Sequence, residues 1–204
     1  MSDGPSGRRH PRKPTPAERR EARARSDDPA EVLDAAARLL EGRPRSEDEV
    51  RRRLIRLGYP PELVVEAVAR LLAVGYLDDE AFARTWVESR DRARPRSEHA
   101  LRRELGQKGL DRELIDAVLD ERREVALAGG GDATPDEAAA ELLLAKKLGP
   151  ILREPDPRRR LRRAYALLAR NGFSPDVCST VAKRALATGA DDGSVEPDGD
   201  QGVG

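Results

Sequence analysis

Apolar residues along this chain recur at three- and four-residue intervals, the spacing of one helical face. Val32, Ala36, Leu39 and Leu40 predict a first helix ending near Glu41; Asp28 is its N-cap, Pro29 its first residue and Glu31 its N3 residue. Ser46 followed by Glu49 reads as a capping box opening a second helix with Val50, Leu54 and Leu57 inward. Gly58 suits a left-handed stop, and Pro60-Pro61 blocks continuation. A third helix to about Val74 turns Leu63, Val64, Ala67, Val68, Leu71 and Leu72 inward and ends at Gly75. The next helix carries Phe82, Ala83, Trp86 and Val87 on one side and stops near Arg94-Pro95. Ser97 then opens a helix burying Leu101 and Leu105. Asp111 opens another that buries Leu114, Ile115, Val118 and Leu119.

This order is copied in the sequence itself. RSEDEVRRRLIRLGYPPEL, Arg45 to Leu63, returns as RSEHALRRELGQKGLDREL, Arg96 to Leu114, 51 residues on and without a gap. Self-similarity at a fixed spacing marks a repeat architecture. A third, degenerate copy begins at Thr134-Pro135-Asp136-Glu137, a strong helix start. Ala139 and Leu143 take the places of Phe82 and Trp86; Leu168, Gly172, Val177 and Val181 take those of Leu105, Gly109, Leu114 and Val118. The offset grows from 57 to 63 inside this copy, so its first connection is longer. The expected fold is all-α: an elongated array of three tandem three-helix repeats, nine helices, with disordered N- and C-terminal tails. The boundaries read as a disordered basic arm over 1–27, repeats over 28–77 and 78–128, a Gly-rich joint over 129–133, a third repeat over 134–188, and a disordered acidic tail over 189–204.

Composition agrees with thin helical layers and no thick core: aromatic residues are 3% and charged residues 37%. Net charge is zero but unevenly spread. Residues 1–26 hold eight basic and three acidic groups, whereas 189–204 hold five acids and no base. Of 38 cations only Lys13, Lys108, Lys146, Lys147 and Lys183 are lysines. Arginine dominance fits recognition of phosphate or carboxylate by its planar fork, and it fits GC-rich coding equally well. One cysteine leaves no internal disulfide framework, and no apolar run approaches the roughly 18 residues of a membrane span. The arginine- and proline-rich start lacks the apolar stretch of a secretory signal. A cytoplasmic protein without a membrane partner is expected, and a monomer.

Sites for bond-making chemistry are not evident. His10 lies in the basic arm, and His99 lies off the apolar stripe of its helix. Cys178 replaces Val64 and Ile115 of the other repeats, as a small core residue would. Asp78-Asp79 reads as capping and dipole groups. Gly129–Gly131 lacks the preceding strand and following Lys-Ser/Thr of a phosphate loop. No catalytic, cofactor-binding or metal-binding residues are therefore expected, and no enzyme. The basic groups carry more signal. Arg52 and Arg56 fall opposite the core of the second helix, flanked by Arg51 and Arg53. Arg102, Arg103 and Lys108 follow in the second repeat; Arg159, Arg162 and Arg163 crowd the third, with Arg158 and Arg160 beside them. They form either a solvated face balanced by acids such as Glu47 and Glu104, or cationic patches facing an anionic, periodic partner.

The run GYLDDEAFARTWVESR, Gly75 to Arg90, together with the two RS-x-x-x-[VL]-R-R-x-L-x-x-x-G segments, resembles the RecX family of bacterial regulatory proteins. The resemblance covers about residues 29–187. Its most distinctive part is Gly75, Tyr76, Leu77, Asp78, Asp79, Phe82 and Ala83, with Trp86 after it, expected to be structural residues welding the first repeat to the second. The resemblance implies a protein that binds RecA and its nucleoprotein filament and inhibits ATP hydrolysis, strand exchange and stimulation of LexA self-cleavage. It thereby restrains recombination, DNA repair and the SOS response. Repeated weak contacts on a periodic filament would add to tight binding. The alternative is a nonspecific DNA-binding helical-repeat protein with weak direct DNA contact. Against sequence-specific reading, the third helices begin Glu62-Leu63-Val64 and Glu113-Leu114-Ile115, acidic and apolar.

Overall fold

The computed structural model describes residues 12–128 and 133–191, the last three by backbone alone. It contains eleven helices and no strand among the described residues, arranged in two compact units, Met1–Asp78 and Asp79–Gly204.

The first unit holds α1 (Pro16–Ala24), α2 (Pro29–Glu41), α3 (Glu47–Leu57) and α4 (Pro61–Ala73). Asp28 accepts the Ala30 N–H and Ser46 the Glu49 N–H, so both expected caps form. The Glu49 carboxylate also takes the fork of Arg43 at 3.0 and 3.1 Å. Val32, Ala36, Val50, Leu54, Val64, Val68 and Leu71 close a core of their own. Each fully buried Val or Leu contributes about 1.5–3 kcal/mol. Leu72, expected inward, is 39% exposed. The apolar stripe of α4 is wider than the surface that α2 and α3 cover.

Residues 1–27 were expected to lack order, and over 16–24 that is incorrect. Thr15 and Glu18 form a reciprocal capping box, with Pro16 as the first helical residue. The helix buries none of its side chains. Backbone and cationic contacts hold it instead. Arg23 donates to the Leu57 carbonyl at 3.5 Å, and its guanidinium lies 5.4 Å from the Tyr59 ring centroid. Arg20 lies so close to Gly58 that an added Cβ would sit 2.6 Å from the Arg20 carbonyl oxygen. Gly58 also has φ +106°, so glycine is required there twice over. Residues 1–11 of the arm lie outside the described residues.

The second unit holds α5 (Asp79–Ala93), α6 (Glu98–Gln107), α7 (Arg112–Ala128), α8 (Pro135–Ala145), α9 (Leu148–Leu152), α10 (Pro157–Arg170) and α11 (Pro175–Asp191). Two further cores fill it. One gathers Phe82, Ala83, Val87, Leu101, Leu105 and Leu119; the other gathers Ala140, Leu144, Ala164, Leu168, Cys178 and Val181. The longer connection expected in the third repeat is partly helical: α9 occupies it, and α10 starts a turn earlier than α6 does in repeat register. With α1, this raises the expected nine helices to eleven. The expected joint at 129–133 lies outside the described residues except for Ala133. The acidic tail lies outside them beyond 191, and α11 continues past the boundary expected at 188.

Repeats two and three meet at a glycine corner. The Ser97 hydroxyl donates to the Gly172 carbonyl at 2.7 Å while accepting the Ala100 N–H. Arg96 donates to Asn171 Oδ1 at 2.6 Å. A Cβ on Gly172, where φ is +90°, would meet Ser97 Oγ at 2.8 Å and Ala100 Cβ at 2.9 Å. The Arg-Ser pair that opens each copied segment is therefore a docking device here, and Ser97 is buried for that reason. Asp136 of α8 reinforces the joint by accepting the Glu98 N–H at 2.8 Å. Burial pushes its carboxyl above the ordinary value against that bond and the nearby Arg122.

Candidate partner-binding surface

Capping and amphipathicity put the arginines of α3 outside. Val50 and Leu54 face the core, which leaves Arg52, Arg53 and Arg56 exposed and Arg51 half-buried. Their freedom differs. Arg51 is paired with Glu47 and Arg52 with Asp48, both one turn back on the same helix. Arg56 donates only to the Arg52 carbonyl, at 3.3 Å, and Arg53 has no ion-pair partner among the described residues.

In the second repeat most of the expected cations are spent internally. Arg102 pairs with Glu98 at 3.1 Å and with Asp116. Lys108, expected to face a partner, stands 4.5 Å over the Trp86 ring, with Arg90 stacked on the same ring at 4.4 Å. Trp86 donates its indole N–H to Glu104 at 3.0 Å, and Arg90 reaches the same carboxylate at 2.7 Å. From its spacing, Glu104 is expected to be one of the acids balancing a solvated basic face. It is instead the anchor of this cluster. Arg103 is exposed and has no ion-pair partner among the described residues.

The third repeat differs. Arg159 lies 3.6 Å from Asp156, and Arg163 pairs at 2.8 Å with Glu154, whose carboxylate is only 7% exposed. Arg162 has no ion-pair partner among the described residues, nor do Lys147 and Arg170, which were not among the expected contacts. These five cations edge a cleft of about 520 Å³ between α9 and α10, floored by Pro150, Ile151, Ala166 and Leu167. Sequence signals for Lys147 and Arg170 existed only as charges near the run at 158–163. Folding of α9 beside α10 brings them together.

The motif turn after α4 splits into two roles. Gly75 takes φ +73°, and the Tyr76 and Leu77 N–H groups both donate to the Leu71 carbonyl. This turns Leu77 into the first core. Tyr76 is 71% exposed. Asp79 begins α5, Phe82 and Ala83 are buried, and Trp86 is half-buried and stacked on Phe82 at 5.9 Å.

The remaining candidates are placed as follows. His99 is exposed on α6. Cys178 is fully buried, donates to the Phe173 carbonyl, and has its thiol pushed up by burial, the state of a packing residue. His10 lies outside the described residues. Among the described residues no cluster of three or more His, Cys, Asp or Glu is placed to hold a metal ion, and no helix is long and apolar enough to cross a membrane.

Comparison with known proteins gives this geometry its context. The family model "RecX, first three-helix domain" matches residues 33–71, and "RecX, second three-helix domain" matches 78–119. Regulatory protein RecX of Streptomyces coelicolor is 36% identical over 176 residues, 86% of this chain and 87% of that protein. Regulatory protein RecX of Mycobacterium avium is 37% identical over 150 residues, 74% and 82%. The crystal structure of RecX from Lactobacillus salivarius shares the fold at TM-score 0.62 and 20% identity, over 79% of this chain and 98% of that one. A second crystal structure, of regulatory protein RecX, matches at TM-score 0.61 and 25% identity, over 76% and 73%. With two successive three-helix domains matched and relatives aligned over most of their length, the chain belongs to the RecX family of regulatory proteins.

Proposed function

We infer that this protein regulates the RecA recombinase by binding RecA and its nucleoprotein filament. It restrains ATP hydrolysis, strand exchange and co-protease activity toward LexA, and it does so by binding, without chemistry of its own. The observation that carries this reading is the pair of RecX three-helix domains in one chain. Repetition supports it further: a filament offers the same surface periodically, and modules joined in one chain engage such a surface at high effective concentration.

A protein partner is favoured over sequence reading of DNA. The third helices of the repeats open with Glu62, Glu113 and Asp176, all exposed. An acid at the first turn of a would-be recognition helix repels phosphate where base contacts should begin. Co-sedimentation with RecA assembled on single-stranded DNA tests the reading. The protein is expected in the pellet with filaments and in the supernatant with the DNA alone. Absence from the filament pellet would refute the reading.

A further inference from the structure

The cleft beside α10 is unlike the other basic surfaces in two respects. Its cations converge: Lys147 stands on one wall, and Arg159, Arg162, Arg163 and Arg170 follow one another along the other, with no carboxylate in the lining. The rest of its lining is apolar: Pro150, Ile151, Ala166 and Leu167. Lys147, Arg162 and Arg170 have no ion-pair partner among the described residues, whereas Arg163 is held in place by the buried Glu154.

We propose that this cleft binds an acidic polypeptide segment of a protein partner and seats an apolar side chain of that segment on Ile151 and Leu167. Arg159 and Arg170 stand about 16 Å apart by the helical rise, the length of about five residues of extended chain. Alternate side chains of such a segment point to opposite sides, so carboxylates can meet the arginine forks while an apolar residue meets the floor. A single nucleic-acid strand is the poorer fit. Its bases need an aromatic platform, and the lining has no aromatic side chain. The proposal deepens the reading of a protein partner and gives that partner's contact segment a chemical character.

The test is fluorescence anisotropy of the full-length protein with a short labelled peptide of glutamates around a central leucine. Binding is expected, and Arg162→Glu combined with Arg170→Glu should weaken it by about tenfold or more. Arg70→Glu, at an exposed cation of α4 outside the cleft, should change it by less than about twofold. Replacing the peptide's leucine by serine should weaken binding severalfold. Unlabelled oligo-dT should not displace the peptide. Equal losses from the cleft pair and from Arg70→Glu would mean a general charge effect and overturn the proposal. So would undiminished binding by the double variant, or displacement of the peptide by oligo-dT. Circular dichroism checks the fold. If the charge reversals lower helicity, Arg162→Gln with Arg170→Gln replaces them and is expected to show the same order of effect. RecA is not in this assay, so failure here leaves RecA regulation standing, and failure of RecA binding leaves the cleft's chemistry standing.

Discussion

Repeats two and three share one three-helix plan, yet repeat two pairs most of its arginines with carboxylates, whereas repeat three leaves Arg162 and Arg170 without an ion-pair partner among the described residues. In repeat two, Arg84 bridges to Glu80 and Glu121, Arg90 and Arg96 converge on Glu104, Arg102 takes Glu98, and Arg122 holds Asp91 at 2.8 Å. In repeat three, Arg162 and Arg170 line a cleft with no carboxylate in its lining. A high arginine count alone therefore identifies no binding face. What separates the two repeats is whether carboxylates fold onto the same surface.

The comparison breaks first in the cores. Leu105→Ala and Leu168→Ala each empty a fully buried site, one per repeat, and each should cost about 2–5 kcal/mol in urea denaturation. A cost below about 1 kcal/mol at either site would mean that its repeat lacks a packed core of its own. Next comes the repeat-two cluster. Glu104→Ala removes the carboxylate shared by Trp86, Arg90 and Arg96 and should cost about 1–3 kcal/mol, read as a lowered Tm. Arg162→Ala should stay within about 0.5 kcal/mol of wild type, because it breaks no ion pair among the described residues. If Arg162→Ala destabilised as much as Glu104→Ala, the division between structural and available arginines would fail.

A smaller effect concerns acid. Hydrogen bonds with Thr15 hold the Glu18 carboxyl below its ordinary value of 4.5, and those with Thr134 do the same for Glu137. A depressed carboxylate contributes stability that is complete above its unfolded value and is lost as pH falls through the folded one. The first turns of α1 and α8 should therefore fray only below the ordinary glutamate range. Hydrogen exchange of the Glu18 and Glu137 amides between pH 6 and acid would check this, and fraying already at neutral pH would contradict the capping boxes.

Much of the fold was legible in the sequence, and the residues show why. Caps and stops are local: Asp28, Ser46, Ser97, Thr134 and Gly58 act on backbone a few residues away, so spacing alone located them. Apolar periodicity likewise placed Leu54, Leu101, Leu105 and Leu168 inside. Helix α1 escaped because it is held by Arg20 and Arg23 against Gly58 and Tyr59, with nothing apolar to announce it. The basic surface was legible in part. Pairs one helical turn apart, such as Glu47 with Arg51, follow from spacing, but Arg122 with Asp91 depends on the packing of α7 against α5. Lys147 and Arg170 became neighbours only through α9. That Leu77 is buried while Tyr76 beside it is exposed depends on the left-handed turn at Gly75, which adjacency in the motif does not reveal.

The central claim is regulation of RecA, and the most direct measurement is RecA ATP hydrolysis on single-stranded DNA during titration with this protein. Hydrolysis should fall progressively toward a low plateau, and the Arg162→Glu, Arg170→Glu variant should need several times more protein to reach it. Undiminished hydrolysis at saturating wild-type protein would contradict the account.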